Sequence, residues 1–167
     1  RGYKGKLSRK GALLPAGAAA SQYSDEGVML KHRLHCPVAI AAERTLGISL
    51  LQQAGCNLII ADDGLQHYAM ARDLEIAVID ASRGVGNGLL LPAGPLREPV
   101  ERLCEVDFVV SHGGPSGLSS REYGMYSRPL RFRRLSDGTT AAVTSFHEHY
   151  PWVHAICGIG NPDRFLR

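Results

Sequence analysis

The sequence predicts an α/β fold in which short strands alternate with helices. Apolar, β-branched runs at residues 56–61, 74–79 and 107–111 read as strands. Helical stripes precede the first of these runs, and carboxylates stand where strands end. Interleaving of this kind favours an α/β sheet over a β-sandwich. In such sheets ligands gather at the carboxyl ends of the strands.

The elements follow in order. Residues 1–24 are rich in Gly, Ala, Ser and Lys, which predicts a flexible or ligand-shaped loop. From Asp25, the apolar Val28, Met29 and Leu30 lie among charges as on an amphipathic helix. Pro37 then introduces the short strand-like run Val38-Ala39-Ile40. A second helix is expected from about Glu43 to Gln53, with Leu46, Leu50 and Leu51 as its stripe and Gly55 as its stop. Cys56 to Ala61 should be a buried strand, followed by a turn at Asp63-Gly64, a strand at Leu74–Ile79 and another at Asp107–Ser111. Tyr126 to Leu135 alternates apolar and basic residues, and Asp137-Gly138 turns it back towards Ala141-Ala142-Val143, predicting a β-hairpin. Val153 to Cys157 reads as the first strand of a further α/β unit, with Gly158-Ile159-Gly160-Asn161-Pro162 after it. The repeated string Leu-Leu-Pro-Ala-Gly at 13–17 and 90–94 has unrelated flanks and is read as coincidence.

Composition sets broad limits. A chain of 167 residues with 44% hydrophobic residues can bury a core, and a net charge of +3 identifies no partner. Cys36, Cys56, Cys104 and Cys157 lack the paired spacing of a zinc ribbon or redox motif and are expected to be reduced. No apolar run approaches the roughly 20 residues of a membrane-spanning helix, and no signal-peptide pattern opens the chain.

The strongest local signal is Leu58-Ile59-Ile60-Ala61-Asp62-Asp63-Gly64-Leu65-Gln66-His67, an apolar run delivering two adjacent carboxylates to a turn. Carboxylates so placed can hold magnesium, which offsets charge on transferring phosphates; a solvated turn would use the same residues. A second block runs from Arg83-Gly84-Val85-Gly86-Asn87-Gly88 into Leu90-Leu91-Pro92-Ala93-Gly94-Pro95-Leu96-Arg97-Glu98-Pro99. Its glycines suit a close backbone approach or a tight turn equally.

Taken with Arg72-Asp73-Leu74-Glu75-Ile76, Arg1-Gly2-Tyr3, Ser24-Asp25-Glu26 and residues 158–162, these blocks resemble the tetraacyldisaccharide 4'-kinase family in order and over nearly the whole chain. The resemblance implies a P-loop-kinase-like sheet flanked by helices at residues 1–118. It also implies a β-hairpin linker at 119–148 and the start of a second α/β domain at 149–167. It implies ATP and Mg2+ as cofactors and transfer of the γ-phosphate to the 4'-hydroxyl of tetraacyldisaccharide 1-phosphate, a step of lipid A biosynthesis. The expected setting is the membrane surface at the cytoplasmic face of the bacterial inner membrane. No nucleic acid is expected as a partner.

By the same resemblance Asp25 is the catalytic aspartate, although Ser24 or Asp25 would also cap a helix. Asp62 and Asp63 match the metal-site pair, and Glu98 matches a further acidic residue of magnesium or phosphate chemistry. Gln66 and His67 could orient substrate or magnesium-bound water, or form a buried, hydrogen-bonded structural pair. Arg97 could take a phosphate bidentately or pair with Glu98 or Glu101. The basic groups Arg1, Lys4, Lys6, Arg9, Lys10 and Arg128, Arg131, Arg133, Arg134 suit lipid headgroups or plain solvated surface. His147 and His149 lack a third ligand for zinc.

The sequence departs from the family at the phosphate-binding loop. No Gly-rich stretch ends in Gly-Lys-Ser or Gly-Lys-Thr, and Gly5-Lys6-Leu7-Ser8 lacks the upstream glycines and strand. An internal piece of a longer enzyme, with little kinase activity alone, is the expectation. A generic P-loop ATPase fragment and a non-catalytic interaction module are the alternatives.

Overall fold

The computed structural model describes residues 11–150 and 152–158. The basic group at residues 1–10, Gly5-Lys6-Leu7-Ser8 and the run from Ile159 to Pro162 lie outside them. The elements fall into three packing units, each built where apolar side chains can be covered.

The first unit joins strand β1 (Ala12–Leu13) to β2 (Ala39–Ile40) in an antiparallel pair, with Ala12 opposite Ile40. Between them in sequence lies helix α1 (Asp25–Arg33), and after them α2 (Arg44–Gln53), which packs on both strands. Ser24 starts α1: its Oγ accepts from the Gly27 N–H at 3.1 Å, satisfying one of the helix's free first-turn donors. Asp25 and Glu26 in the first turn and Lys31, His32 and Arg33 in the last complement the helix dipole. Leu14, Ala18, Val28 and Ile40 form the core of this unit. A Cβ on Gly27 would stand 2.8 Å from Ser24 Oγ and 2.9 Å from Ile40 Cγ2, so the helix meets the strand there only through glycine.

The second unit is a parallel sheet of β3 (Ile76–Asp80), β4 (Phe108–His112) and β5 (Glu122–Met125), in the order β3-β4-β5. Ala77 pairs with Val109 and Val110 with Tyr123. One face, through Ala77 and Val109, packs against Val106, Leu65 and Leu103, the last on the 3-10 helix Val100–Cys104. Ile76, Val78, Phe108, Tyr123 and Met125 remain exposed. The third unit pairs β6 (Arg131–Arg133) with β7 (Thr140–Ala142) around the Asp137-Gly138 turn, and helix α3 (Val143–His149) follows directly. Phe132 and Phe146 pack with ring centroids 4.1 Å apart.

The two helices, the strands at 76–80 and 108–112 and the hairpin lie where the sequence predicts them. Two expected strands do not form. Residues 57–61 run irregularly, with Leu58 78% and Ile60 87% exposed, and residues 153–157 are irregular with Ile156 92% exposed. A strand is stable only when a neighbour completes its hydrogen-bond ladder, and no described strand pairs with either run. Conversely, Glu122–Met125 forms a strand beside β4 just past residue 118, and residues 143–149 turn helical instead of extending the hairpin.

Candidate functional site

The Asp-Asp-Gly turn is held in shape by arginines. Arg44, the first residue of α2, donates from Nη2 to the Asp62 carbonyl at 2.7 Å, tying the first unit to the turn. Arg72 donates from Nη1 to the carbonyls of Gly64 and Leu65 at 3.2 and 2.8 Å. Its Nε pairs with Glu75 at 2.9 Å, and the other oxygen of Glu75 takes Nη2 of Arg102 at 2.6 Å. The His67 N–H closes the turn on the Gly64 carbonyl at 3.0 Å. Asp63 sits at φ 50, the left-handed region that aspartate tolerates better than most residues and that ordinary turns leave to glycine.

The second signature block folds back onto this turn. Arg97 grips the Asp63 carboxylate bidentately, Nη2 to Oδ1 at 2.6 Å and Nη1 to Oδ2 at 3.0 Å. The partner is neither Glu98 nor Glu101, because Arg97 points across to the first block. Hydrogen bonding to Asp63 raises the Arg97 guanidinium pKa further, against a partial loss of hydration. Beside it, Glu98 receives Gln66 Nε2 on Oε2 at 2.9 Å and the Tyr68 hydroxyl on Oε1. Partial burial pushes the Glu98 carboxyl up, but the hydrogen bonds from Tyr68 and Gln66 and the charges of Arg102 and Arg72 bring it below its ordinary value. The Glu98 bond holds the Tyr68 phenol above its usual range.

The structure thus joins Asp63, Gln66, Arg97 and Glu98, four of the residues singled out in sequence, across about thirty positions of chain. Asp62 is exposed at the head of the turn, and His67 is half-buried within it. Asp25 stands apart on α1. There Ser24 takes the capping role and leaves the Asp25 side chain exposed in the first turn. Tyr68, Arg44 and Arg102 are absent from the sequence reading, and Arg72 enters it only within a signature block, with no role of its own. Tyr68 follows the motif by one residue, but nothing in its spacing announces a partner at position 98.

The donor chemistry fits Mg2+, a hard cation that takes one or two carboxylates and completes its shell with water and phosphate oxygens. What the turn does not form is a closed cage. Among the described residues no group of three or more His, Cys, Asp or Glu is gathered on one point, and the Asp63 oxygens are engaged by Arg97. The side chains of His147 and His149 lie outside the described residues.

A hollow of about 380 Å³ opens at the carboxyl ends of β3 and β4, lined by Asp80, Ala81, Ser82, His112, Gly113 and Pro115. Asp80 accepts from the Ser82 amide and hydroxyl at 3.0 and 2.6 Å, and His112 Nε2 lies 2.6 Å from Ser127 Oγ.

The family model described as tetraacyldisaccharide-1-P 4'-kinase matches residues 1–167. The tetraacyldisaccharide 4'-kinase of Alcanivorax borkumensis is 43% identical over 167 residues, covering 99% of this chain and 50% of its own length. That of Alkalilimnicola ehrlichii is 41% identical over 166 residues, covering 99% of this chain and 49% of its own. One from Shewanella baltica is 45% identical over 151 residues, or 90% of this chain and 44% of its own. No solved structure matches. The chain spans about half the length of the curated relatives it matches. With both signature blocks folded onto one acidic turn and the family model matching from end to end, the chain belongs to the tetraacyldisaccharide 4'-kinase family.

Proposed function

We propose that residues 1–167 supply the acidic side of a kinase that moves the γ-phosphate of ATP to the 4'-hydroxyl of tetraacyldisaccharide 1-phosphate. The observation that carries this reading is the meeting of the two signature blocks, Arg97 on Asp63 and Gln66 on Glu98. Phosphoryl transfer demands little covalent work from a protein and much positioning and charge compensation. A guanidinium fork matched to a carboxylate is equally matched to a phosphate. Arg97 is therefore suited to hold a phosphate oxygen pair while Asp62, Asp63 and Glu98 receive a cation on the other side.

When bound, Mg2+ supplies positive charge against the phosphate oxygens. Asp25 orients the acceptor hydroxyl and takes its proton as the oxygen attacks phosphorus, and ADP leaves. Gln66 and His67 align the reacting groups from the turn. The acceptor lipid is met at the cytoplasmic face of the bacterial inner membrane as a surface. No helix among the described residues is long and apolar enough to cross a membrane. The 1–118, 119–148 and 149–167 divisions serve, in this reading, as kinase core, linker and start of a second domain.

The test is a chimera in which residues 1–167 replace the matching stretch of the Alcanivorax borkumensis relative. It is assayed with ATP, Mg2+ and tetraacyldisaccharide 1-phosphate. The expected result is 4'-phosphorylated product, reduced at least about a hundredfold by Asp25→Ala or Asp63→Ala. Residues 1–167 alone, which contain no Gly-Lys-Ser or Gly-Lys-Thr loop, are expected to transfer little. ATP turnover independent of the lipid would favour a generic ATPase. Full activity in both aspartate variants would remove the residues from the chemistry.

A further inference from the structure

We infer that Tyr68 is a positioning residue that fixes the Glu98 carboxylate through its hydroxyl, with Arg72 propping its ring. This inference rests on the metal role proposed above for Glu98. The two oxygens of Glu98 are each held by a different donor from one short stretch, Oε2 by Gln66 and Oε1 by Tyr68. One donor leaves a carboxylate free to rotate about its terminal bond. Two donors on opposite oxygens fix the plane of the group.

A carboxylate carries about four lone-pair sites, so two donors leave room for a cation on the same oxygens. Partners of this kind, one step removed from a ligand, set its orientation and alter metal affinity without touching the ion.

Tyr68 is 66% exposed, so core packing does not hold its ring. Arg72 supports it, its guanidinium carbon 5.6 Å from the ring centroid, and Arg102 also reaches the hydroxyl. Arg72 is itself fixed to the Gly64 and Leu65 carbonyls and to Glu75. The same arginine therefore shapes the Asp-Asp-Gly turn and supports the phenol that aims Glu98.

The experiment is a titration of the full chain with Mn2+ alone, free ion being read by electron paramagnetic resonance. The variants are Tyr68→Phe, Tyr68→Leu, Glu98→Gln and the double Tyr68→Phe/Glu98→Gln, with circular dichroism melts to establish folding. Tyr68→Phe keeps the ring beneath Arg72 and removes only the donor. It is expected to weaken Mn2+ binding about fivefold, as loss of one such hydrogen bond implies, with an unchanged melt. Tyr68→Leu should match it. In the Glu98→Gln background Tyr68→Phe should add nothing. If Tyr68→Phe binds like the parent while Tyr68→Leu does not, the ring and not the hydroxyl matters, and the inference is overturned. An equal further loss in the Glu98→Gln background overturns it as well. If the parent binds no Mn2+, or Glu98→Gln leaves its binding unchanged, the metal role of Glu98 fails and the inference falls with it. Loss on Glu98→Gln without loss on Tyr68→Phe overturns the inference alone.

Discussion

The Arg97–Asp63 pair can be weighed against what a phosphate would have to displace. The contact is bidentate at 2.6 and 3.0 Å, with 54% of the Arg97 side chain and 49% of the Asp63 side chain exposed. Two unit charges about 4 Å apart attract by about 1 kcal/mol in water and about 4 kcal/mol at the effective dielectric of a protein surface. Side-chain ordering and salt reduce measured values for exposed pairs to about 0.2–1 kcal/mol, and the fork geometry places this one near the top of that range. A double-mutant cycle of Arg97→Gln and Asp63→Asn tests the figure by urea denaturation. Asparagine tolerates the φ of 50 at this position, so the cycle removes charge without adding backbone strain. The expected coupling is about 1 kcal/mol at low salt, falling below about half of that near 1 M salt, where the screening length is ~3 Å. A coupling above about 2 kcal/mol that survives 1 M salt would refute the reasoning. The pair would then be a desolvated structural clamp, too strong for a phosphate to exchange with.

Three further outcomes follow from the packing and charge. A Cβ on Gly94 would lie 2.2 Å from Asn87 Oδ1 and 2.3 Å from the Leu89 carbonyl, whereas one on Gly17 meets nothing within 4 Å. Thermal unfolding should show Gly94→Ala destabilised by about 1–3 kcal/mol and Gly17→Ala changed by less than about 0.5 kcal/mol. Ser24→Ala, which strips the cap from α1, should cost about 1 kcal/mol in urea, whereas Asp25→Asn should cost about 0.3–1 kcal/mol, with salt reducing only the second. Glu122 is brought to about 2 by hydrogen bonds from Ser111, Ser116 and Gly117. Because its folded value lies below its ordinary 4.5, its stabilising contribution is complete above that value and is lost as pH falls towards about 2. The protection factors of the Ser116 and Gly117 amides should therefore fall through that window, and Glu122→Gln should abolish that fall.

What the sequence made legible is what local chemistry decides. Ser24-Asp25-Glu26 before Val28 announces a helix start, and Asp137-Gly138 between two short runs announces a hairpin; both need only neighbours within a few residues. The run at 56–61 is as apolar as that at 76–80, yet only the second finds a ladder, because β4 stands beside it. An apolar run states a demand for burial and leaves its partner unnamed. The helix at 143–149 was missed because Val143, Thr144 and Ser145 carry little helix propensity, and the contacts of Phe146 with Phe132 and Tyr150 are invisible in spacing. In the site, residue types were legible and pairings were not. Arg97 was read beside Glu98 and Glu101, whereas the fold carries it to Asp63.

The electrostatics of the turn narrow what can enter it. Asp62, Asp63 and Glu98 contribute three negative charges. Arg44 and Arg72 face the turn's carbonyls, and Arg97 takes one of its carboxylates. Such a site is close to balanced, so a divalent cation arriving alone gains less than bare carboxylates would give it, and a phosphate alone meets Asp62 and Glu98 as like charges. In the proposed function, a cation carrying phosphate would satisfy both sets together, with Arg97 suited to the phosphate and Asp62, Asp63 and Glu98 to the cation. In that reading the balance suits a metal–phosphate complex better than either component alone.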